Sequence, residues 1–236
     1  MPERNVPSAA KPGAKSANLR LRLLTAAVTA PLLLLAMFKA PTWVFFAIVA
    51  VATTLAALEL ATMVAPTSRA SQIWGCGATL LVFCAAVLVR SPAILMATFL
   101  MVVVGGMLVG LAAPKPMQEA AQRTGWHIAG PLYVGLLLAT LVLLHRLPHG
   151  PAWVLLSMML AWFGDTGAYF AGRALGRRKL NAAVSPKKTI EGAAGGLLGS
   201  LVGALFAHYV ALPGLPLVHA IALGLIAGAL GQLGDL

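Results

Sequence analysis

Eight long apolar runs dominate the chain and leave it few ways to fold. They cover roughly residues 20–38, 41–63, 72–89, 92–112, 129–146, 151–171, 193–211 and 215–236. Runs of this length match the ~20 residues a helix needs to cross the hydrocarbon of a bilayer. With 60% hydrophobic residues, 10% charged residues and a mean hydropathy of +0.90, the sequence lies outside the soluble globular range. The predicted fold class is all-α: a polytopic integral membrane protein of about eight transmembrane helices, occupying residues 19–236.

Charge sets the expected orientation. Seventeen bases against six acids give +11. No aromatic-basic pattern accompanies the excess, so nucleic acid is not expected as a partner. Membrane lipid is, because bases of a membrane protein gather in cytoplasmic loops facing anionic headgroups. With the amino terminus inside, the segment through Arg22, Val64–Ser71, Ala113–Gly125 and residues 172–192 hold 14 of the 17 bases, leaving only Lys39, Arg90 and Arg146 outside. The predicted location is a bacterial inner (plasma) membrane, with the basic 172–192 loop facing the cytoplasm. Residues 1–18, with three prolines and three bases, read as a flexible basic tail. The first apolar run is too long for the h-region of a typical signal peptide and reads as a retained span.

Local signals fill in the frame. Pro41, Pro92, Pro131 and Pro151 fall at or near span starts, where a missing N–H matters least. Arg90-Ser91-Pro92 and Pro148–Pro151 read as tight turns between antiparallel neighbours. Glycines four apart (Gly106/Gly110, Gly195/Gly199/Gly203, Gly224/Gly228) predict close helix packing. Cys76 and Cys84 lack a metal or redox spacing and read as small apolar residues. The five histidines lie near span ends without ligand spacing.

One stretch carries the chemistry. From Trp162 to Gly196 the sequence leaves an apolar run, passes six cations (Arg173, Arg177, Arg178, Lys179, Lys187 and Lys188) and enters the next run through Glu191 and Gly192. A carboxylate within a span is costly and marks a functional site by default, so Asp165 stands out. It is readable as a metal ligand, a nucleotide contact or a buried structural group. Helical spacing places it on one face with Tyr169 and Gly172 or Arg173, which makes Arg173 a candidate partner. Dense cations beside the Ser185 and Thr189 hydroxyls suit a polyphosphate. A helix starting near Thr189 would add free N–H groups and a positive dipole. Arg177, Arg178 and Lys179 read equally as site residues or as a charge run that fixes topology. Glu191 reads equally as a site residue or as part of a helix's first turn. No G-x-x-x-x-G precedes Lys187-Lys188-Thr189, so a P-loop is not indicated.

GDTGAYFAGRALGRRKL, SPKKTIEGAAGG and the terminal GQLGDL, spread over residues 160–236, resemble the phosphatidate cytidylyltransferase (CDP-diacylglycerol synthase) family in content, order and spacing. The resemblance implies transfer of a cytidylyl group from CTP to phosphatidic acid, giving CDP-diacylglycerol and pyrophosphate. It implies catalytic roles for Asp165, Lys188 and Asp235. It also implies substrate contacts from Arg173, Ser185, Lys187, Lys188, Thr189 and Glu191, and Mg²⁺ held at Asp235, the aspartate of GDL, and at Asp165. Mg²⁺ suits that set because it prefers carboxylate oxygens plus substrate phosphates. A homodimer is an open assembly state. The family continues past GDL into Lys-Arg and Lys-Asp segments and an HGG-x-x-DR-x-D signature. The sequence ends at Leu236, so residues 1–236 alone are expected to insert but not to turn over. Two other functions compete: a CTP-dependent polyprenol or phytol kinase-like enzyme, and a transporter with a basic vestibule. Against the transporter, no inverted pair of broken helices is evident.

Overall fold

A computed structural model describes residues 25, 27–112, 119–181 and 184–235. The chain divides into two compact units, Met1–Ala47 and Ile48–Leu236. The described residues form eight helices: α1 (Ala27–Phe38), α2 (Thr42–Val64), α3 (Arg69–Leu88), α4 (Pro92–Ala112), α5 (Ala120–His145), α6 (Gly150–Leu175), α7 (Ile190–Ala211) and α8 (Leu217–Gly234). Strands β1 (Lys179–Asn181) and β2 (Ser185–Thr189) form an antiparallel hairpin between α6 and α7. Seven of the helices, α2 to α8, are long and apolar enough to cross a membrane. The all-α polytopic class follows directly. The basic tail, residues 1–18, and the start of the first predicted span, residues 20–24, lie outside the described residues.

Lipid is needed to complete this fold. In α4 only 17% of the apolar window is buried within the protein, while Val104, Leu108 and Leu111 are more than half exposed. So much apolar surface is unstable in water and natural in hydrocarbon, where a helix satisfies its own backbone.

Helices α3, α4 and α5 pack through one specific tie. The sequence places Pro131 near a span start, but α5 begins eleven residues earlier, so Pro131 lies inside it. A proline has no N–H to donate to the carbonyl four residues back, here that of His127. The indole N–H of Trp74 donates to that oxygen instead, at 3.1 Å. Trp74 reaches it by crossing Gly105, where any Cβ would collide with the ring. Around this tie Ala78, Val82 and Val102 form a buried core, with Trp74 and Leu132 against it.

Side chains brace the chain reversals. Gln72 donates to the carbonyl of Ala65 at 2.9 Å, and the Arg146 guanidinium donates to the Val87 carbonyl near the end of α3. In the predicted turn before α6, His149 adopts a left-handed conformation (φ 58°). Gly150 follows because a Cβ there would strike the His145 carbonyl.

Helices α6 and α7 come closest of all. A Cβ at Gly167 would collide with the Gly195 carbonyl, one at Gly199 with that of Phe163, and one at Gly203 would lie 2.5 Å from that of Met159. A Cβ at Gly106 would meet the Ile128 side chain and one at Gly228 the Ser200 side chain. The glycine spacing is a packing signal, as expected: backbones without side chains between them gain dispersion contact along their length.

Candidate functional site

The basic stretch read as a loop is an ordered device. Helix α6 continues to Leu175, which puts Arg173 on the helix rather than in a loop. After Gly176 the hairpin pairs Lys179 with Thr189 and Asn181 with Ser185. Asn181 closes its turn by accepting the Val184 N–H at 3.3 Å. Thr189 is then the N-cap of α7, its hydroxyl oxygen accepting the Gly192 N–H at 3.0 Å.

Beneath the hairpin lies a cavity of about 860 Å³ between α5, α6, α7 and α8. Asp165, Arg173, Lys187, Lys188, Thr189 and Asp235 all line it. These six were separated by up to 70 positions in sequence and converge because α8 returns to the hairpin end of α6 and α7. The decisive contact is Lys188, whose ammonium donates to the Asp235 carboxylate at 2.8 Å and to the Asp235 carbonyl. The expectation that Asp235 shares a face with the basic loop is therefore met.

Two predicted contacts are elsewhere. Ser185 is a hairpin pairing position and is not among the cavity-lining residues, and neither is Glu191. The Glu191 carboxylate accepts the backbone N–H groups of Arg177 at 3.1 Å and Arg178 at 3.3 Å. Expectations about free N–H groups at the start of α7 also need correction. The Ile190 N–H donates to Arg178 O at 3.0 Å and that of Gly192 is taken by Thr189. Any phosphate here would meet side-chain cations and a hydroxyl more than bare amides. Arg173 is not an ion-pair partner of Asp165; it donates to the Tyr169 hydroxyl at 2.9 Å.

Asp165 is exposed to the cavity, so it is not a buried structural group. Gly164 and Gly228 both approach Ser200, which sets α6 and α8 in register. From that level Asp235 lies six residues further along than Asp165, ~9 Å at 1.5 Å per residue. Among the described residues no group of three His, Cys, Asp or Glu could hold a metal ion. The chemistry of the donor set still fits Mg²⁺, which takes one or two carboxylates and fills its remaining positions with phosphate oxygens and water.

Sequence reading missed other lining residues. Gln232, inside GQLGDL, donates to the Ala193 carbonyl at 2.9 Å and ties α8 to α7 at the cavity wall. An amide within an apolar span was the available signal. Ser200 lines the cavity and donates to the Leu160 carbonyl at 3.0 Å, while Tyr133 reaches in from α5. Tyr133 had no signal, since a tyrosine in a span is ordinary.

A model of the cytidylyltransferase family matches residues 20–236, nearly the whole sequence. The chain belongs to the cytidylyltransferase family. Among relatives, the phosphatidate cytidylyltransferase of Bacillus subtilis (strain 168) is 34% identical over 115 residues, 48% of this chain and 43% of that protein. That of Staphylococcus saprophyticus is 38% identical over 88 residues, 37% of this chain and 34% of the relative. That of Haemophilus influenzae is 50% identical over 62 residues, 26% of this chain and 22% of the relative. The matched stretch thus spans less than half the length of each of these relatives.

Proposed function

We propose that the protein catalyses cytidylyl transfer from CTP to phosphatidic acid, forming CDP-diacylglycerol in phospholipid synthesis. The carrying observation is the cavity itself. It brings Arg173, Lys187, Lys188 and the Thr189 hydroxyl to the end of apolar helices, where a lipid phosphate would lie beside a polyphosphate. Its relatives bear the name of that reaction.

In the proposed step an oxygen of the lipid phosphate attacks the α-phosphorus of CTP. The bond from that phosphorus to the bridging oxygen of the β-phosphate breaks, and pyrophosphate leaves with the electron pair. No covalent intermediate on the protein is required. The residues bind, orient and offset charge, effects that grow when water is excluded. Lys187 and Lys188 meet phosphate oxygens from β2 and Arg173 from α6. The Thr189 oxygen already accepts one N–H, which leaves its hydroxyl proton to donate. Asp235 at the mouth and Asp165 deeper stand too far apart to share one ion; each would hold Mg²⁺ together with phosphate oxygens and water, and the bound ion would offset phosphate charge. Lys188 pairs with Asp235, so substrate and metal would each take one member of that pair. The lipid enters sideways from the bilayer at headgroup level, with the hairpin on the cytoplasmic side of a bacterial inner membrane.

The test is label transfer in membranes carrying the full-length enzyme, with phosphatidic acid and Mg²⁺. Label from α-labelled CTP is expected in a CDP-lipid. Label reaching lipid only from γ-labelled CTP would replace nucleotidyl transfer with a kinase reaction.

A further inference from the structure

Glu191 was expected to touch substrate, and its carboxylate is turned away from the cavity toward the backbone. We propose that Glu191 is a positioning residue: it clamps the open end of the hairpin and so fixes where Lys187 and Lys188 stand. This rests on the reading of those lysines as phosphate-binding groups.

Its place in α7 is unusual for a capping carboxylate. In a capping box the acid stands three residues after the N-cap and reaches back to the N-cap's own N–H. Here that third position is Gly192, whose N–H Thr189 already takes. Glu191 sits one residue earlier and reaches across the chain instead. It accepts the N–H of Arg177 at 3.1 Å and that of Arg178 at 3.3 Å, 14 and 13 residues away. The acceptor is charged, which makes such bonds stronger than neutral ones.

The hairpin needs an outside hold. β1 has three residues, and its register with β2 shifts between Lys179 and Asn181. An isolated two-stranded hairpin is marginal in water even when regular. At its open end the remaining ties are the Lys179–Thr189 pairing and the Ile190 N–H to the Arg178 carbonyl. Glu191 adds both of its oxygens to the same corner and joins it to the rigid start of α7. Lys187 and Lys188 stand two and one residues before Thr189, so any slip of the corner moves both cations against the cavity.

The side chains of Arg177 and Arg178 have no part in the clamp. Glu191 forms no ion pair with Arg177 or Arg178; it holds their backbone and leaves their guanidinium groups outside the cavity lining. Side-chain changes at those arginines should therefore matter less than a change at Glu191.

Hydrogen–deuterium exchange in the whole protein, in detergent or nanodiscs, reads the clamp without any reaction. Glu191→Ala should speed exchange of the Arg177 and Arg178 amides by about tenfold or more, the scale of a lost charge-assisted bond. Exchange within the body of α7 should stay unchanged. Glu191→Gln, which keeps one acceptor oxygen, should fall between. In kinetics of the full-length enzyme, Glu191→Ala should raise the KM for CTP several-fold with kcat within about twofold, and leave the Mg²⁺ concentration for half-activation in place. Unchanged exchange at Arg177 and Arg178 would sink the clamp. A shifted Mg²⁺ requirement with normal exchange would make Glu191 a metal ligand and overturn it equally. Should the wild-type protein fail to use CTP, the proposed reaction fails while the exchange result still decides the clamp.

Discussion

Lys188 and Asp235 show how differently two charges in one ion pair can contribute. The Asp235 side chain is 71% exposed and that of Lys188 30%, so their pairing adds little to stability, roughly 0–1 kcal/mol. Replacing either should leave a folded protein, and changes in rate then report on chemistry. Lys188→Ala removes a cation that, on the proposed reading, would meet phosphate before and during the transfer. The apparent KM for CTP should rise, with a smaller fall in kcat. Asp235→Asn keeps the shape but removes the charge that would hold Mg²⁺. Most turnover should be lost, by roughly 10²-fold or more, with partial recovery at high Mg²⁺. Initial rates of the full-length enzyme against CTP at several Mg²⁺ concentrations, with melting temperatures alongside, measure both. Near-wild-type turnover in folded Asp235→Asn would take Asp235 out of the metal site and leave Asp165 as the carboxylate to test.

Among the elements, α5 poses a sharper question of what a proline costs. Pro131 frees the His127 carbonyl inside a helix, and Trp74 from α3 satisfies it. Trp74→Phe should therefore destabilise by about 1–3 kcal/mol for the orphaned acceptor, beyond the packing lost. Pro131→Ala restores an N–H at the right place, so Trp74→Phe should cost less in that background. The double-mutant cycle, read by thermal or denaturant unfolding in detergent, isolates the bond because the packing loss is common to both arms. Equal costs in the two backgrounds would show that the indole contributes by packing alone. The same element shows where sequence reading stops. Apolar runs located six of the seven spans α2 to α8 to within a few residues; α5 begins nine residues before the predicted 129. There Gln122, Arg123 and Thr124 made a helical first turn look like loop. Charges mark where an apolar run ends, and helices end where hydrogen bonds do. For the same reason α6 runs four residues past 171, carrying Arg173 with it. The hairpin was invisible because neither Lys179-Leu180-Asn181 nor a strand containing Pro186 has strand-like alternation. The charged residues that line the cavity were legible, because lone carboxylates and grouped cations are rare in so apolar a chain. Their partners were not: Glu191 and Arg173 bond to groups that only the fold brings within reach.

Taken whole, the molecule is polarised by charge, and its packing makes that polarity testable. Gly106 meets His127 and Gly110 meets Thr124, so α4 and α5 run antiparallel. Trp74 meets His127 and Gly135 meets Thr79, so α3 and α5 run parallel. Helix α6 returns from α5, and α8 ends beside Lys188. Arg69, Arg123, Arg173, Arg177, Arg178, Lys179, Lys187 and Lys188 therefore lie toward one end of the spans, and Arg90 and Arg146 at the other. Bases concentrate on the cytoplasmic side because they resist translocation. The hairpin end should thus face the cytoplasm, which also supplies CTP. With Cys76 and Cys84 replaced, Lys179→Cys should react with a membrane-impermeant thiol reagent only when the cytoplasmic face is open to it. Arg90→Cys should react only from the opposite face. Both positions are exposed, so a failure to label is a matter of access across the bilayer and not of burial. Lys179→Cys labelled from outside intact cells would invert the molecule. It would place the cavity away from its nucleotide, and cytidylyl transfer from cytoplasmic CTP would fall with the orientation.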